Sequence, residues 1–257
     1  MLLFKLIATP FLLVVATIAI RRWGEAVGGF LVGLPLTSGP ISVFLALENG
    51  PRFAMQASSG SLTATAAQAG FCMAYCQLAA HGWLVALTGA CIAFVLSASV
   101  LQWAALPAGG LFVIALLAMT IALYRMPRDL ARSAVFVAPR WDLPARMVLM
   151  AGLVVGVTLI APYVGAQVSG VLASFPFMAI ILAVFAHRSV GPNAAKRVMR
   201  GMVAGLFGFA VFFYVLSLTL TRLHLGAAYG CAVAGTLAVQ AIALQRLRRP
   251  MRPDSLL

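Results

Sequence analysis

Polar positions divide the chain into nine apolar stretches, at about 2–20, 24–49, 53–78, 82–100, 105–124, 147–163, 165–187, 198–220 and 225–244. Each is long enough to cross a hydrocarbon core of about 30 Å as a helix. The longest polar interruption is 125–146, with Arg125, Arg128, Asp129, Arg132, Arg140, Asp142 and Arg146. The pattern predicts an all-α polytopic membrane protein of about nine transmembrane helices. Residues 2–20 also suit a signal peptide, but no small-x-small cleavage site follows, and Arg21-Arg22 come directly after the apolar run.

The second stretch is irregular. At its centre stands Leu34-Pro35-Leu36-Thr37-Ser38-Gly39-Pro40. Each proline removes a backbone donor and clashes with the preceding turn. Freed backbone at membrane depth is tolerated only inside protein or beside a water-filled cavity. The expected element is therefore a broken helix facing the protein interior. The third stretch is unusual in another way, because Gln56, Ser58, Ser59, Ser61, Thr63, Thr65 and Gln68 are mixed with Ala and Gly. Small and hydroxylated residues let helices approach closely and hydrogen-bond across the contact.

Sliding the chain on itself by 141 residues aligns its halves without a gap. Gly24 meets Gly165, Gly29 meets Gly170, Pro35 meets Pro176 and Val43-Phe44 meets Val184-Phe185. Gly50-Pro51 meets Gly191-Pro192, Gly60 meets Gly201, Phe71 meets Phe212 and Gly89 meets Gly230. Apolar composition produces chance matches of Leu, Val and Ala, but does not readily bring glycines and prolines into register. The expected organisation is a four-helix repeat over 1–100, a connector helix and cytoplasmic loop over 101–145, a second four-helix repeat over 146–245 and a basic cytoplasmic tail over 246–257. One connector helix between two four-helix units inverts the second, an arrangement found in many secondary transporters.

Within each unit a first helix is followed by G-x-L-x-x-x-P, here Gly29-Phe30-Leu31-Val32-Gly33-Leu34-Pro35 and Gly170-Val171-Leu172-Ala173-Ser174-Phe175-Pro176, and then by two more spans. In this each unit resembles the small four-span bacterial membrane proteins of the GlpM type. The resemblance covers each repeat but not the connector. It implies a four-span architecture and no particular substrate. It also implies that one-unit relatives would pair antiparallel to make what this chain makes alone.

Composition agrees with the pattern: 63% of the 257 residues are hydrophobic and 9% charged, with a mean hydropathy of +1.05. The formal net charge of +13 would suggest nucleic acid in a soluble protein. Here 15 of the 18 basic residues fall on one side if the N-terminus lies outside, so the charge reads as a topology signal. The expected placement is a bacterial-type inner membrane, multi-pass, N-terminus outside and C-terminus cytoplasmic. The lipid bilayer is the expected partner, nucleic acid is not, and homo-oligomerisation stays open. Cys72, Cys76, Cys91 and Cys231 lie in apolar segments, where small buried hydrophobes are the default. Cys72 and Cys76 share a helix face without a spaced His or acid, so neither metal nor cofactor is expected.

Candidate chemistry concentrates at the breaks. A broken helix exposes amides that favour anions and carbonyls that favour cations. Pro35, Thr37, Ser38, Gly39, Pro40 and Ser42 form the first candidate group, with a proline kink patched by its own hydroxyls as the structural alternative. The matching Ser174, Phe175, Pro176 and Phe177 have one proline and no Thr-Ser-Gly, which predicts a lopsided site with an aromatic wall. Gln56, Ser59 and Thr63 would line the same cavity or pack a helix contact. Intramembrane carboxylates usually mark ion coupling. Here Glu25 and Glu48 sit at opposite ends of the broken helix, where Glu48 and Asn49 would gate or simply be solvated. No Ser/His/Asp set, phosphate loop or HExxH motif is present, so no enzyme is expected. The favoured function is transport or facilitated passage of a small solute by alternating access, and the alternative is a membrane scaffold or assembly factor for an envelope pathway.

Overall fold

The computed structural model describes residues 38–127 and 174–248, together with single positions in the stretches before each. Seven α-helices are described: α1 (Ser38–Asn49), α2 (Pro51–Leu78), α3 (Trp83–Trp103), α4 (Ala108–Arg125), α5 (Phe177–Ser189), α6 (Pro192–Thr219) and α7 (Leu225–Arg248), with a 3₁₀ turn at Ala79–His81. Among the described residues there is no strand. The helices match the third, fourth, fifth, eighth and ninth apolar stretches and the C-terminal parts of the second and seventh. The first and sixth stretches lie outside the described residues apart from single positions, as do Glu25, Thr37, most of the 125–146 connection and residues 249–257.

Two long helices form the centre. α2 and α6 are each 28 residues, about 42 Å at 1.5 Å per residue. α2 buries small side chains, among them Ala54, Ala57, Gly60, Ala64, Ala67 and Ser61. α6 buries large ones, including Met199, Met202, Leu206, Phe209 and Phe213. A small-residue face lets a neighbouring backbone approach, and the large residues of α6 fill the remaining space. The pair is antiparallel over its length. Met55 Sδ lies 4.0 Å from Thr221 Oγ1, Cys72 Sγ 3.7 Å from Met202 Sδ, and Cys76 Sγ 4.0 Å from the Lys196 carbonyl.

The entries to these helices are built alike. α2 follows Gly50, with φ 85° and ψ 165°, and α6 follows Gly191, with φ 115° and ψ 177°. In each case a proline occupies the first turn, where its missing N–H has no helical partner to lose. Both glycines occupy a backbone region that side chains essentially exclude. The two junctions are 141 residues apart in the chain.

α3 and α4 lie outside this pair. α3 buries only a narrow stripe, Ala86, Ala90, Phe94 and Ala98, and α4 buries Leu111, Ala115, Met119 and Ala122. Their other faces are equally apolar yet exposed: Leu84, Ile92, Leu96 and Val100 on α3, and Val113, Leu117 and Ile121 on α4. Apolar surface on this scale suits hydrocarbon and not water. Among the described residues α3, α4 and α6 are long and apolar enough to cross a membrane, consistent with a membrane protein. This falls short of the nine spans expected. α2 is not among the three, because its Ser, Thr and Gln residues lower its hydropathy, while its position inside the bundle buries those of its middle, Ser58, Ser61, Thr63, Thr65 and Gln68.

Basic residues gather at one end of the bundle. The C-terminal ends of α2, α4 and α5 meet the start of α6 there: Tyr75 and His187 share a 3.2 Å hydrogen bond, and the Arg188 guanidinium sits 5.5 Å from the Trp83 ring centre. Arg200 donates to the carbonyls of Leu123 (2.9 Å) and Met126 (3.0 Å), which closes the open C-terminal end of α4. Met55 and Thr221 mark the other end, near Arg52 and Arg222.

Candidate functional site

The break before α5 spans Ser174 to Pro176. Ser174 N–H donates to the Val171 carbonyl and Phe175 N–H to the Leu172 carbonyl, each at 3.2 Å, so the preceding helix tightens as it ends. Pro176 has no N–H to continue it. Phe177 N–H reaches back to the Phe175 carbonyl at 2.8 Å, and α5 resumes with Ile180 N–H on the Pro176 carbonyl at 2.9 Å. The Ser174 carbonyl is taken by the other half of the protein: the Gln68 amide of α2 donates to it. The Ser174 hydroxyl donates to Ser61 Oγ at 3.0 Å. Phe175 lies edge-on to Phe94 of α3 at 4.9 Å between ring centres and beside Phe177 at 4.6 Å.

The first break docks in the opposite direction. Gly39 N–H donates to the Pro35 carbonyl at 2.9 Å, which carries the chain into α1. A Cβ at Gly39 would stand 3.3 Å from Cζ of Phe212 on α6, so the glycine lets that ring approach. Ser42 shares a 2.8 Å hydrogen bond with the Tyr229 hydroxyl of α7. Each break therefore packs against helices of the other half. Ser38, Ser42 and Ser174 are all buried, Phe175 and Phe177 are half-buried, and Pro176 is buried. Pro40 lies in the first turn of α1, and Thr37 is outside the described residues.

The remaining expected residues have other surroundings. Gln56 is exposed near the start of α2, and Glu48 and Asn49 are exposed at the end of α1. Thr63 donates to the Ser59 carbonyl at 3.3 Å, and Ser59 to the Met55 carbonyl at 3.5 Å. Ser58 and Thr65 likewise bond the carbonyls of Ala54 and Ser61. These hydroxyls are satisfied within their own helix. The residues of α2 that reach the break are instead Ser61 and Gln68. Seven residues apart, they share a helix face two turns long, a signal present in the sequence but not weighed there. Tyr229 of α7, which meets the other break, carried no comparable signal.

One polar atom at the break has no partner among the described residues. Gln68 is 3% exposed and its Oε1 accepts no hydrogen bond. A second such atom, Gln240 Oε1, lies between α6 and α7, where Gln240 Nε2 donates to the Gly205 carbonyl at 2.7 Å and Thr236 to the Gly208 carbonyl at 3.3 Å. Among the described residues the buried polar side chains are Ser, Thr and Gln together with the Tyr75 phenol, all without formal charge. No protein-family model, curated protein or solved structure matches the chain.

Proposed function

We propose that this chain is a membrane transporter or facilitator of a small solute, built from two inverted four-helix repeats whose interrupted helices meet in the interior. The antiparallel pairing of α2 with α6 carries this reading. Their entry glycines stand 141 residues apart in the sequence alignment of the halves, and equivalent helices of inverted repeats must run in opposite directions. The mutual docking of the breaks adds support. Because the residues around Ser38 touch α6 and α7 while Ser174 touches α2, rocking one unit against the other would open the centre from alternate sides. The segregation of Arg125, Arg188, Lys196, Arg197 and Arg200 at one end of the bundle supports a cytoplasmic placement for that end. The residues carried by this proposal are Pro35, Ser38, Gly39, Pro40, Ser42, Ser174, Phe175, Pro176 and Phe177, with Thr37 by sequence alone. The resemblance to GlpM-type proteins belongs to the same proposal and supplies no substrate.

One observation favours the scaffold alternative: both breaks are closely packed, with Phe212 against Gly39 and Ser174 only 3% exposed. Solvent access separates the two readings. Single cysteines replacing Ser38 and Ser174, in a chain freed of its four native cysteines, should react with impermeant thiol reagents applied to either side of oriented vesicles. Burial of both from both sides under all conditions would leave a scaffold.

A further inference from the structure

Hydrogen bonding around the second break does not close. Gln68 donates to the Ser174 carbonyl and Ser174 donates to Ser61 Oγ, but Gln68 Oε1 is left over. Turning the carboxamide over does not relieve this, because Oε1 would then face the Ser174 carbonyl, acceptor against acceptor. A buried acceptor left unmade is costly, and native interiors seldom leave one. What the cluster lacks is a donor, an N–H or O–H, and none comes from the described residues.

The surroundings restrict who can bring it. No charged side chain is buried among the described residues, so an ion would lose its hydration at the break without meeting an opposite charge. Phe94, Phe175 and Phe177 form an aromatic wall on the same break, suited to the apolar body of a small molecule. Gln240 is orphaned in the same way, but it lies between α6 and α7, where its Nε2 donates to the Gly205 carbonyl.

We infer that Gln68, with Ser61 and Ser174, forms the recognition site for a compact neutral solute that offers an N–H or O–H donor to Gln68 Oε1 and an apolar face to the phenylalanines. As a statement of transported solute class this rests on the transport reading, whereas the binding itself is separable from it. The test uses the full-length chain in detergent and two pairs of near-isosteric probes that differ in charge, acetamide against acetate and benzamide against benzoate. At saturation the amides should raise the melting temperature by about 3 °C or more and the carboxylates should not. Gln68→Met should lose the shift, and Thr88→Ala, on the exposed face of α3, should keep it. Should Gln68→Met fold poorly, the comparison of amide with carboxylate on the unaltered chain still decides. No shift with either amide, an equal shift with the carboxylates, or a shift surviving in a folded Gln68→Met would overturn the inference. Amide binding without flux into proteoliposomes would support this site and remove the transport reading. Flux of a charged solute without amide binding would do the reverse.

Discussion

The side-chain amide of Gln68 donates a hydrogen bond to the main-chain carbonyl of Ser174, joining the interior of α2 to the break before α5 across 106 positions of sequence. The bond satisfies a carbonyl at a helix end, where Pro176 prevents the helix from running on. Both partners are buried, so the cost of losing it is chiefly the cost of an unmade bond.

Gln68→Met should lower stability by about 1–3 kcal/mol, because it strands the Ser174 carbonyl in an apolar interior. Ser174→Ala keeps that carbonyl and loses only the hydroxyl bond to Ser61. It should therefore cost about 0.5–1.5 kcal/mol and couple strongly with Ser61→Ala but weakly with Gln68→Met. Double-mutant cycles on reversible unfolding in mixed micelles would check this, and strong Gln68–Ser174 side-chain coupling would contradict the geometry.

Glycine substitutions should sort by backbone conformation and not by space. A Cβ at Gly50, Gly191 or Gly230 meets nothing within 4 Å. Gly50 and Gly191 nevertheless have φ of 85° and 115°, whereas Gly230 is helical within α7. Gly50→Ala and Gly191→Ala should each destabilise by about 1–3 kcal/mol, while Gly230→Ala should be stabilising by about 0.4–1 kcal/mol. Equal effects at all three sites in thermal melts would refute the assignment of strain to the two junctions.

Cross-linking reads the direction of the central pair. Met55→Cys with Thr221→Cys should form a cross-link through a short bifunctional thiol reagent, as should native Cys76 with Lys196→Cys. Met55→Cys with Lys196→Cys should not, although these positions are equivalent under the 141-residue shift and would face each other in a parallel pair. Efficient linkage of that last pair would remove the basis for inverted repeats.

Sidedness is tested by labelling in whole cells. In a cysteine-free background Asn49→Cys should react with an impermeant maleimide and Arg188→Cys should not, since the basic end of the bundle carries Arg188 and α1 ends away from it in the expected topology. The opposite pattern would reverse the orientation.

Much of the helical layout was legible in the chain because apolar runs punctuated by Gly-Pro dictate where helices begin. Gly50-Pro51 and Gly191-Pro192 are visible as letters, and the backbone at both positions takes the conformation that glycine uniquely allows. The breaks at Pro35 and Pro176 were legible for the same local reason. The polar face of α2 was legible as unusual, but its use was not. Ser59 and Thr63 bond their own helix, since a hydroxyl three or four residues from a carbonyl on one helix has a partner before any neighbour arrives.

Sequence by itself determined the all-helical character of the described residues, the apolar surface and the gathering of basic residues. These follow from composition and local backbone chemistry, which do not depend on what a segment packs against. Tertiary structure decided which residues meet: Gln68 and Ser61 with Ser174, Phe212 with Gly39, Tyr229 with Ser42. It also decided that the least hydrophobic long helix, α2, belongs at the centre. Hydropathy along a chain measures each residue's preference for water. Burial depends on which surfaces fit, and the small residues of α2 admit the bulky face of α6 where a more apolar helix with larger side chains would keep it at a distance.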